Sequence, residues 1–247
     1  MTMHPASLNH LLATLPEAEQ VRIAPQLMPV ALRGRQVLHK RGEPLQHVLF
    51  PGRMLCSLVL TMQDGASAEI AVVGAEGVVG VEAALGVRVA ACDATVQVAG
   101  EGHAMAMTVS AFQAELANCP AFESRVRNYA QAFVGFVMQS VACNARHSVD
   151  ARCCRWLLHA HDRLAADDLE LTHDLLSTML GVRRPTVTLV MNDLSHAGIV
   201  STGRGRIRIV DRTALEARAC ACYRIVTEIY GMRARAEAKV VAGASTL

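Results

Sequence analysis

The most regular pattern of apolar and polar residues lies between Leu171 and Val210. Apolar residues recur at helical spacing over Thr172–Leu180, where Gly181 stops the pattern, and again from Arg183 to about His196. Two short β-rich runs then flank residues 202–206. Two helices joined by a tight glycine turn and followed by a hairpin are the layout of a helix-turn-helix with a wing.

The N-terminal half has a different period. Leucines at helical spacing predict a short helix that Pro16 interrupts. From about Val30 to Val109 the segments are short and rich in valine, with glycine-bearing turns roughly every 8–12 residues. Asp64-Gly65 has the sequence of a hairpin turn. We therefore expect an all-β sandwich or barrel in this half.

A third pattern follows Pro120, where apolar positions alternate in steps of four and three over three heptads. We call these positions the heptad seam: Phe122, Val126, Tyr129, Phe133, Phe136, Ser140 and Cys143. Such a seam either packs on its own domain or pairs with a second copy. We favour pairing, because a helix between two domains has few other surfaces to cover it, and predict the seam as the interface of a homodimer.

The remaining segments complete an α+β architecture. Ser148 can cap a new helix in which Trp156 is the expected core anchor, an acidic loop follows at 165–170, and Thr213–Tyr230 is expected to form one helix. We assign four regions: a β domain at 1–118, a pairing helix at 119–147, the helix-turn-helix domain at 148–232 and a flexible tail at 233–247.

Composition narrows the class of protein. Just over half of the 247 residues are apolar and 19% are charged, so the chain should be globular. The N-terminus lacks the order of a secretory signal and no apolar run is long enough to span a membrane, so we expect a cytoplasmic protein with no membrane partner.

The cysteines are numerous but scattered. None of the eight forms C-x-x-C, and none has histidines at zinc-finger spacing. We expect them to be buried as small hydrophobic residues, and predict no metal and no cofactor. A redox or metal role for Cys153-Cys154 or for Cys220 and Cys222 is the alternative.

Charge is unevenly distributed although the net value is only +2. Residues 1–118 carry seven Lys and Arg against ten Asp and Glu, whereas residues 183–212 carry six Arg against two Asp. This concentration is typical of a surface that binds a polyanion. Arginine in particular matches phosphates and guanine edges.

The second helix of the predicted helix-turn-helix separates into two faces. Val187, Val190, Met191 and Leu194 should pack inward. Arg184 could pair with guanine and Leu189 could touch a thymine methyl group, while hydroxyls and other arginines would hold phosphates. The predicted DNA-contacting residues are Thr172, Arg183, Arg184, Pro185, Thr186, Thr188, Leu189, Asn192, Arg204 and Arg206, with Arg208 on the same face of the wing.

Together these segments resemble the Crp/Fnr superfamily of bacterial transcription regulators, over roughly residues 10 to 230. The most specific match is LTHDLLSTMLGVRRPTVTLVMNDLSHAGIVSTGRGRIRI, and GRQVLHKRGEPLQHVLFPGRM is similar to the opening strands of the cyclic-nucleotide-binding jelly roll. The resemblance implies a jelly roll, a dimerisation helix and a winged helix-turn-helix. It also implies a homodimer on palindromic double-stranded DNA, with RNA polymerase as a further partner and no enzymatic activity.

The matching effector pocket departs from the family pattern. Gly80, Glu82, Cys92 and Asp93 stand in this region. Cys92 occupies the place of the arginine that holds the cyclic-nucleotide phosphate, and Asp93 would repel an anion. We therefore predict no binding of cAMP and leave the effector unidentified. Two other classes stay open: a ligand-binding module that acts through a protein partner, and a cupin-like metalloenzyme, for which residues 30–110 offer few histidines.

Overall fold

The computed structural model describes residues 8–100 and 102–231. The chain begins there with two short helices, α1 (His10–Ala13) and α2 (Glu17–Ile23), before the β domain. The predicted tail at 233–247 lies outside the described residues. No helix within the described ranges has both the length and the hydropathy needed to cross a membrane.

Seven strands form two antiparallel sheets around one core. Their bounds are β1 (Met28–Ala31), β2 (Val37–His39), β3 (His47–Pro51), β4 (Leu55–Thr61), β5 (Ser67–Val73), β6 (Asp93–Val98) and β7 (His103–Thr108). One sheet has the order β1-β7-β3 and the other β2-β6-β4-β5. Phe50, Leu55 and Met105 are buried between them. Gly65 forms the β4–β5 turn with φ +83°, as its sequence predicted. The predicted sandwich is confirmed.

Two helices lead out of the sandwich. Thr108 caps α3 (Val109–Asn118), its hydroxyl accepting a hydrogen bond from the Ala111 amide. Pro120 begins α4 (Pro120–Arg146), since a proline at the first helical position loses no hydrogen bond. With 27 residues, α4 is the longest helix in the described ranges, about 40 Å in length.

The heptad seam faces the rest of its own chain. Phe122 meets Phe112 edge-on at 5.7 Å between ring centroids, Tyr129 stacks on Tyr230 at 6.0 Å, and Cys143 lies 3.5 Å from Cys220 between sulfur atoms. All seam residues are buried except Phe133, which is half-buried. In this structure Phe122, Val126, Tyr129, Phe133, Phe136, Ser140 and Cys143 therefore do not form a free pairing surface, contrary to our expectation.

The reason for this difference is that both flanking domains fold back onto α4. The sandwich covers its first half, and the helix α9 (Cys222–Ile229) covers its second half. The opposite side of α4 exposes Val134, Met138 and Val141 by 51%, 67% and 66%. These three residues are also spaced by four and three, so they form a second, shorter apolar stripe.

The C-terminal domain begins at a capped joint. Ser148 caps α5 (Val149–Leu164) by accepting a hydrogen bond from the Ala151 amide, as predicted. The other elements are α6 (His173–Leu180), α7 (Arg184–His196), α8 (Arg212–Arg218) and the three-stranded sheet β8 (Asp168–Leu169), β10 (Arg206–Ile209) and β9 (Val200–Gly203), in that spatial order. Part of the predicted acidic loop is thus strand β8.

The predicted helix over Thr213–Tyr230 is two helices. Asp211 caps α8, which ends at Arg218, because Ala219 adopts an extended conformation with ψ 149°. The Cys220 amide then donates to the Ala151 carbonyl at 3.4 Å. The apolar residues of α8 and α9 face the same core, so the helical period continues from one helix into the other. For this reason the sequence pattern did not show that the helix ends at Arg218.

Polar contacts fasten the two domains together. The Trp156 indole N–H donates to Glu69 Oε1 at 2.7 Å, so the predicted core anchor also reaches β5. Arg163 Nε donates to Glu76 Oε1 at 2.8 Å, and the two side chains are only 1% and 5% exposed. The helix-turn-helix domain is therefore held against β4 and β5 of the sandwich.

Candidate nucleic-acid interface

The turn between α6 and α7 has the geometry that the sequence predicts. The Thr172 hydroxyl accepts a hydrogen bond from the Leu175 amide and starts α6. Gly181 ends that helix with φ +62°, and its N–H donates to the Thr178 carbonyl at 3.2 Å. Arg183 is the extended residue before α7, and Pro185 lies in its first turn.

The two faces of α7 are as predicted. Val187, Met191 and Leu194 are buried against the domain, and Val190 is half-buried. The outer face is open: Leu189 is 70% exposed, and Asn192 is exposed beside it. A single exposed apolar side chain is common on protein surfaces. Leu189, however, lies on the same face as the arginines and is therefore placed to contact the same ligand.

The wing is a two-residue hairpin. Gly203 at the end of β9 pairs with Arg206 at the start of β10, and Gly205 turns the chain with φ +69°. Ile207 and Ile209 face inward and are buried. The intervening arginines are exposed at 204, 206 and 208, as the alternation predicts. The wing therefore presents a row of guanidinium groups to solvent.

Most of these arginines are electrostatically available. Arg184 Nε lies 3.3 Å from Asp174 Oδ1, with both side chains about two-thirds exposed. Exposed pairs of this kind contribute about 0–1 kcal/mol, so a phosphate or base could displace the carboxylate. For Arg183, Arg204 and Arg206 no ion pair is formed with any residue of 8–100 or 102–231.

The three threonines predicted to contact DNA differ in the hydrogen bonds that their hydroxyl groups form within the domain. The Thr172 oxygen accepts from a backbone amide, which leaves its hydroxyl hydrogen able to donate outward. The Thr188 hydroxyl instead donates to the Arg184 carbonyl at 3.2 Å and lies 3.2 Å from His173 Nδ1. Thr186 is half-buried. The Thr188 hydroxyl hydrogen is thus already used in a hydrogen bond within the domain. His173, which sequence reasoning missed, lies on the same face.

Arg218 is a second residue that sequence reasoning missed. From α8 it forms an ion pair with Asp193 on α7, which ties the outer edge of the helix to the body of the domain. The pair joins residues 25 positions apart, and neither the helical period nor the charge count of 183–212 reveals it. The pair fixes Asp193, and with it one edge of α7, against α8.

Acidic side chains lie near Cys92 in the region predicted as the effector pocket. Gly80, with φ +88°, precedes a short 3₁₀ helix that carries Glu82. Burial raises the pKa of the Cys92 thiol to about 12, and the carboxylates of Glu82 and Asp93 act in the same direction. Asp93 also accepts a hydrogen bond from the Arg41 amide at 2.8 Å. Two carboxylates therefore act on Cys92 against the single positive charge of Arg41, a balance that disfavours a phosphate.

Comparisons with known proteins agree with this geometry. The family model for the Crp-like helix-turn-helix domain matches residues 151–218. This match confirms the resemblance to the Crp/Fnr superfamily in the C-terminal domain, and residues 151–218 are a Crp-like helix-turn-helix domain. A search of curated protein sequences found no match.

Solved structures extend the likeness of fold along the chain. FixK2 from Bradyrhizobium japonicum is 17% identical, with a TM-score of 0.67 over 79% of this chain and 98% of that one. A Eubacterium rectale protein assigned to the crp/fnr family is 16% identical, with a TM-score of 0.65 over 86% and 98%. A CRP-family transcriptional regulator from Thermus thermophilus is 20% identical, with a TM-score of 0.63 over 78% and 96%. The chain thus has the Crp/Fnr fold, including the cyclic-nucleotide-binding-like sandwich.

Proposed function

We propose that this chain, with its Crp/Fnr fold, is a homodimeric transcription regulator that binds palindromic double-stranded DNA. The observation that carries the proposal is the single exposed face formed by the start of α7 and the wing. There Arg183, Arg204 and Arg206 have no ion-pair partner among the described residues. A surface of unpaired guanidinium groups around an exposed helix is suited to the phosphates and base edges of DNA.

The helix dimensions support docking into a groove. The 13 residues of α7 span about 20 Å, and a single α-helix fits the major groove of B-DNA. In this arrangement Arg184 and Asn192 face base edges, and Leu189 meets a thymine methyl group. Arg183, Thr172 and the wing arginines contact phosphates on either side, while Pro185 and Thr186 shape the entry. Thr188 supports the helix from within.

The exposed stripe on α4 supports a revised dimer interface. Val134, Met138 and Val141 occupy the solvent side of the helix, whereas the heptad seam is covered by its own chain. Pairing of two stripes would bury apolar surface and relate the two α7 helices by a two-fold axis, as a palindromic site requires. Half-sites about one helical turn apart would then match the two copies.

Regulation is part of the same proposal. The sandwich would sense a signal other than cAMP, because carboxylates line the place where a phosphate would sit. RNA polymerase is the expected protein partner at a promoter. The chain would act without catalysis and within the cytoplasm.

Titration of DNA against salt concentration tests the DNA contact. Arg204→Ala combined with Arg206→Ala should weaken binding to every sequence and reduce the slope of log K against log salt by about 2, one for each lost phosphate contact. Lys40→Ala combined with Arg88→Ala removes the same charge from the exposed surface of the sandwich and should leave the slope unchanged. Equal slopes for all three proteins would refute the assignment of the wing.

Sedimentation of Met138→Glu tests the dimer. A carboxylate in the paired stripe should shift the protein towards monomer and lower DNA affinity. Val21→Glu makes a similar change at an exposed apolar residue of α2, away from the stripe, and is the control. If Met138→Glu stays dimeric at the same concentration, the stripe is not the interface. If the purified chain binds a protein partner but no DNA, the proposal of a DNA-binding regulator is replaced by that of a regulatory module that acts through a protein.

A further inference from the structure

A cluster of metal-binding side chains lies outside the candidate DNA interface. Cys143 and His147 are one helical turn apart at the C-terminal end of α4, and Cys220 and Cys222 lie in and after the turn that leads into α9. The three sulfur atoms and a histidine ring nitrogen all lie within 4.8 Å of one another. It is the one such group found within residues 8–100 and 102–231. We call it the Cys₃His cluster.

The spacing of these atoms matches tetrahedral coordination. With metal–sulfur bonds of about 2.3 Å and metal–nitrogen bonds of about 2.0 Å, tetrahedral geometry requires S···S near 3.8 Å and S···N near 3.5 Å. The Cys143 and Cys220 sulfur atoms are 3.5 Å apart, and Cys222 Sγ is 3.5 Å from His147 Nδ1. The sulfur separation is far longer than the roughly 2.05 Å of a disulfide. The four atoms therefore need only small shifts to enclose an ion.

The surroundings of the cluster differ from those of an ordinary buried cysteine. Cys143, Cys220 and Cys222 form a group separate from the main hydrophobic core, with Ala151 as the apolar neighbour. Gln139 donates a hydrogen bond to Cys222 Sγ at 3.0 Å. Amide donors of this kind orient and stabilise thiolate ligands in metal sites.

A buried arginine supplies compensating charge. Arg155 is 7% exposed, forms no ion pair with the residues that the structure describes, and leaves its Nε without a hydrogen-bond partner. Its positive charge acts on both Cys143 and Cys220. Three thiolates around a divalent cation carry one net negative charge, which Arg155 would balance. The charge of Arg155 also acts on Glu69, with which it forms no close ion pair. Burial of a guanidinium without a close partner is costly, and the thiolates would reduce that cost.

We propose that Cys143, His147, Cys220 and Cys222 bind a thiophilic divalent cation such as Zn²⁺ in a closed, tetrahedral site. Three sulfurs and one imidazole are a ligand set of structural zinc sites, and four protein ligands leave no open position for catalysis. Binding displaces the thiol protons into solvent, since thiolates are the ligands. Hard cations such as Mg²⁺ and Ca²⁺ are excluded, because the site offers no oxygen ligands.

The ion would clamp the joint between two parts of the molecule. It links the end of α4 to the start of α9, on either side of the capped joint at Ser148. Removing the ion would delete one of the links that fix the angle between the C-terminal domain and α4. A consequent change in DNA affinity rests on the function proposed above, whereas the metal site does not.

Direct metal titration tests the site itself. The full chain, purified under reducing conditions and stripped with a chelator, is titrated with Co²⁺ and then Zn²⁺. We expect one equivalent of Co²⁺ to give sulfur-to-cobalt charge-transfer and intense tetrahedral bands, which Zn²⁺ then abolishes. Mg²⁺ should leave the spectrum unchanged. Absence of the bands, or six-coordinate Co²⁺ with weak absorption, would overturn the proposal.

Variants separate ligation from folding. Cys222→Ser should weaken the charge-transfer band, because two of the three thiolates remain. It should also lower Zn²⁺ affinity by at least tenfold, since even the loss of an outer-shell partner can cost that much. Cys119→Ser makes the same chemical change at the buried cysteine before the other end of α4 and should bind Zn²⁺ like the wild type. His147 is the most exposed of the four ligands. If the Cys222→Ser protein fails to fold, His147→Ala tests ligation in its place. Wild-type affinity in both ligand variants would contradict the assignment.

Two further outcomes separate the alternatives. If mass analysis of the metal-free protein in a buffer of oxidised and reduced glutathione shows a Cys143–Cys220 disulfide that persists when Zn²⁺ is added, the cluster is a redox pair and the proposal fails. If Zn²⁺ binds but DNA affinity is the same with and without it, the site stands and only its link to DNA binding is lost.

Discussion

The buried pair between Glu76 and Arg163 offers the sharpest test of how the two domains are joined. Arg163 Nε donates to Glu76 Oε1 at 2.8 Å, and Arg163 Nη1 donates to the His159 carbonyl at 3.1 Å. Replacing Arg163 by Met keeps most of the side-chain volume and removes the charge. The Glu76 carboxylate then retains the Gly74 amide at 3.2 Å as its hydrogen-bond donor in the described structure.

The expected loss follows from burial. Removing one partner of a buried ion pair costs about 3–5 kcal/mol, because the other charge stays desolvated. The Gly74 amide still donates to Glu76 in the variant, so the carboxylate is not left without a donor and the lower end of this range applies. We therefore expect Arg163→Met to lower the free energy of unfolding by about 3 kcal/mol. Glu76→Leu with Arg163→Met removes both charges and should lie within about 1 kcal/mol of the wild type.

Urea denaturation and calorimetry measure both effects. Because the pair joins two domains, its loss should also separate one cooperative unfolding transition into two. Arg127→Met is the matched control, since Arg127 forms an exposed pair with Glu123 and should cost under about 0.5 kcal/mol. A loss below 1 kcal/mol for Arg163→Met, or a double variant less stable than the single one, would refute this account of the interface.

Three other substitutions test separate parts of the structure. Burial raises the pKa of Glu69 to about 7, so its protonated form stabilises the fold below about pH 4.5, and this contribution is lost as pH rises through 7. The melting temperature of the wild type should therefore fall relative to that of Glu69→Gln between pH 5 and 8. Parallel curves of melting temperature against pH would contradict this account. Gly77→Ala places a Cβ 2.2 Å from Tyr129 ring atoms and should cost about 1–3 kcal/mol of stability, measured by urea denaturation; an unchanged midpoint would show that the ring yields freely. Leu189→Ala should leave the melting temperature unchanged but weaken binding to a selected site by about 1 kcal/mol, and equal affinity for sites with and without the methyl group would remove this contact.

Local chemistry made the helix-turn-helix predictable. The cap at Thr172, the left-handed turn at Gly181 and the alternation of Ile207 and Ile209 are each decided within a few residues. Such features are encoded in short segments of sequence, so helix and hairpin positions could be predicted to within a residue or two. The positions of the candidate DNA contacts followed from the same helical period.

Contacts between distant segments were not predictable in this way. The heptad seam correctly indicated that one side of α4 is covered, but a period does not specify whether the cover is a second copy or the same chain. Likewise Cys143 and Cys220 are 77 positions apart, and only the fold brings them together. The C-x₃-H spacing of Cys143 and His147 at a helix end, together with C-x-C at 220–222, was the available signal.

The long-range contacts also give α5 a central position between the domains. Near its N-terminus, the Ala151 carbonyl receives the Cys220 amide next to the Cys₃His cluster; near its C-terminus, Arg163 is fixed by Glu76. Trp156, between them, is held by Glu69. Because α6 and α7 pack on this helix, a signal in the sandwich can reorient α7 as a rigid body only by breaking a contact along α5. The Trp156–Glu69 hydrogen bond involves a carboxylate that titrates near neutrality, so it can be released at a lower cost in free energy than the fully buried Glu76–Arg163 pair.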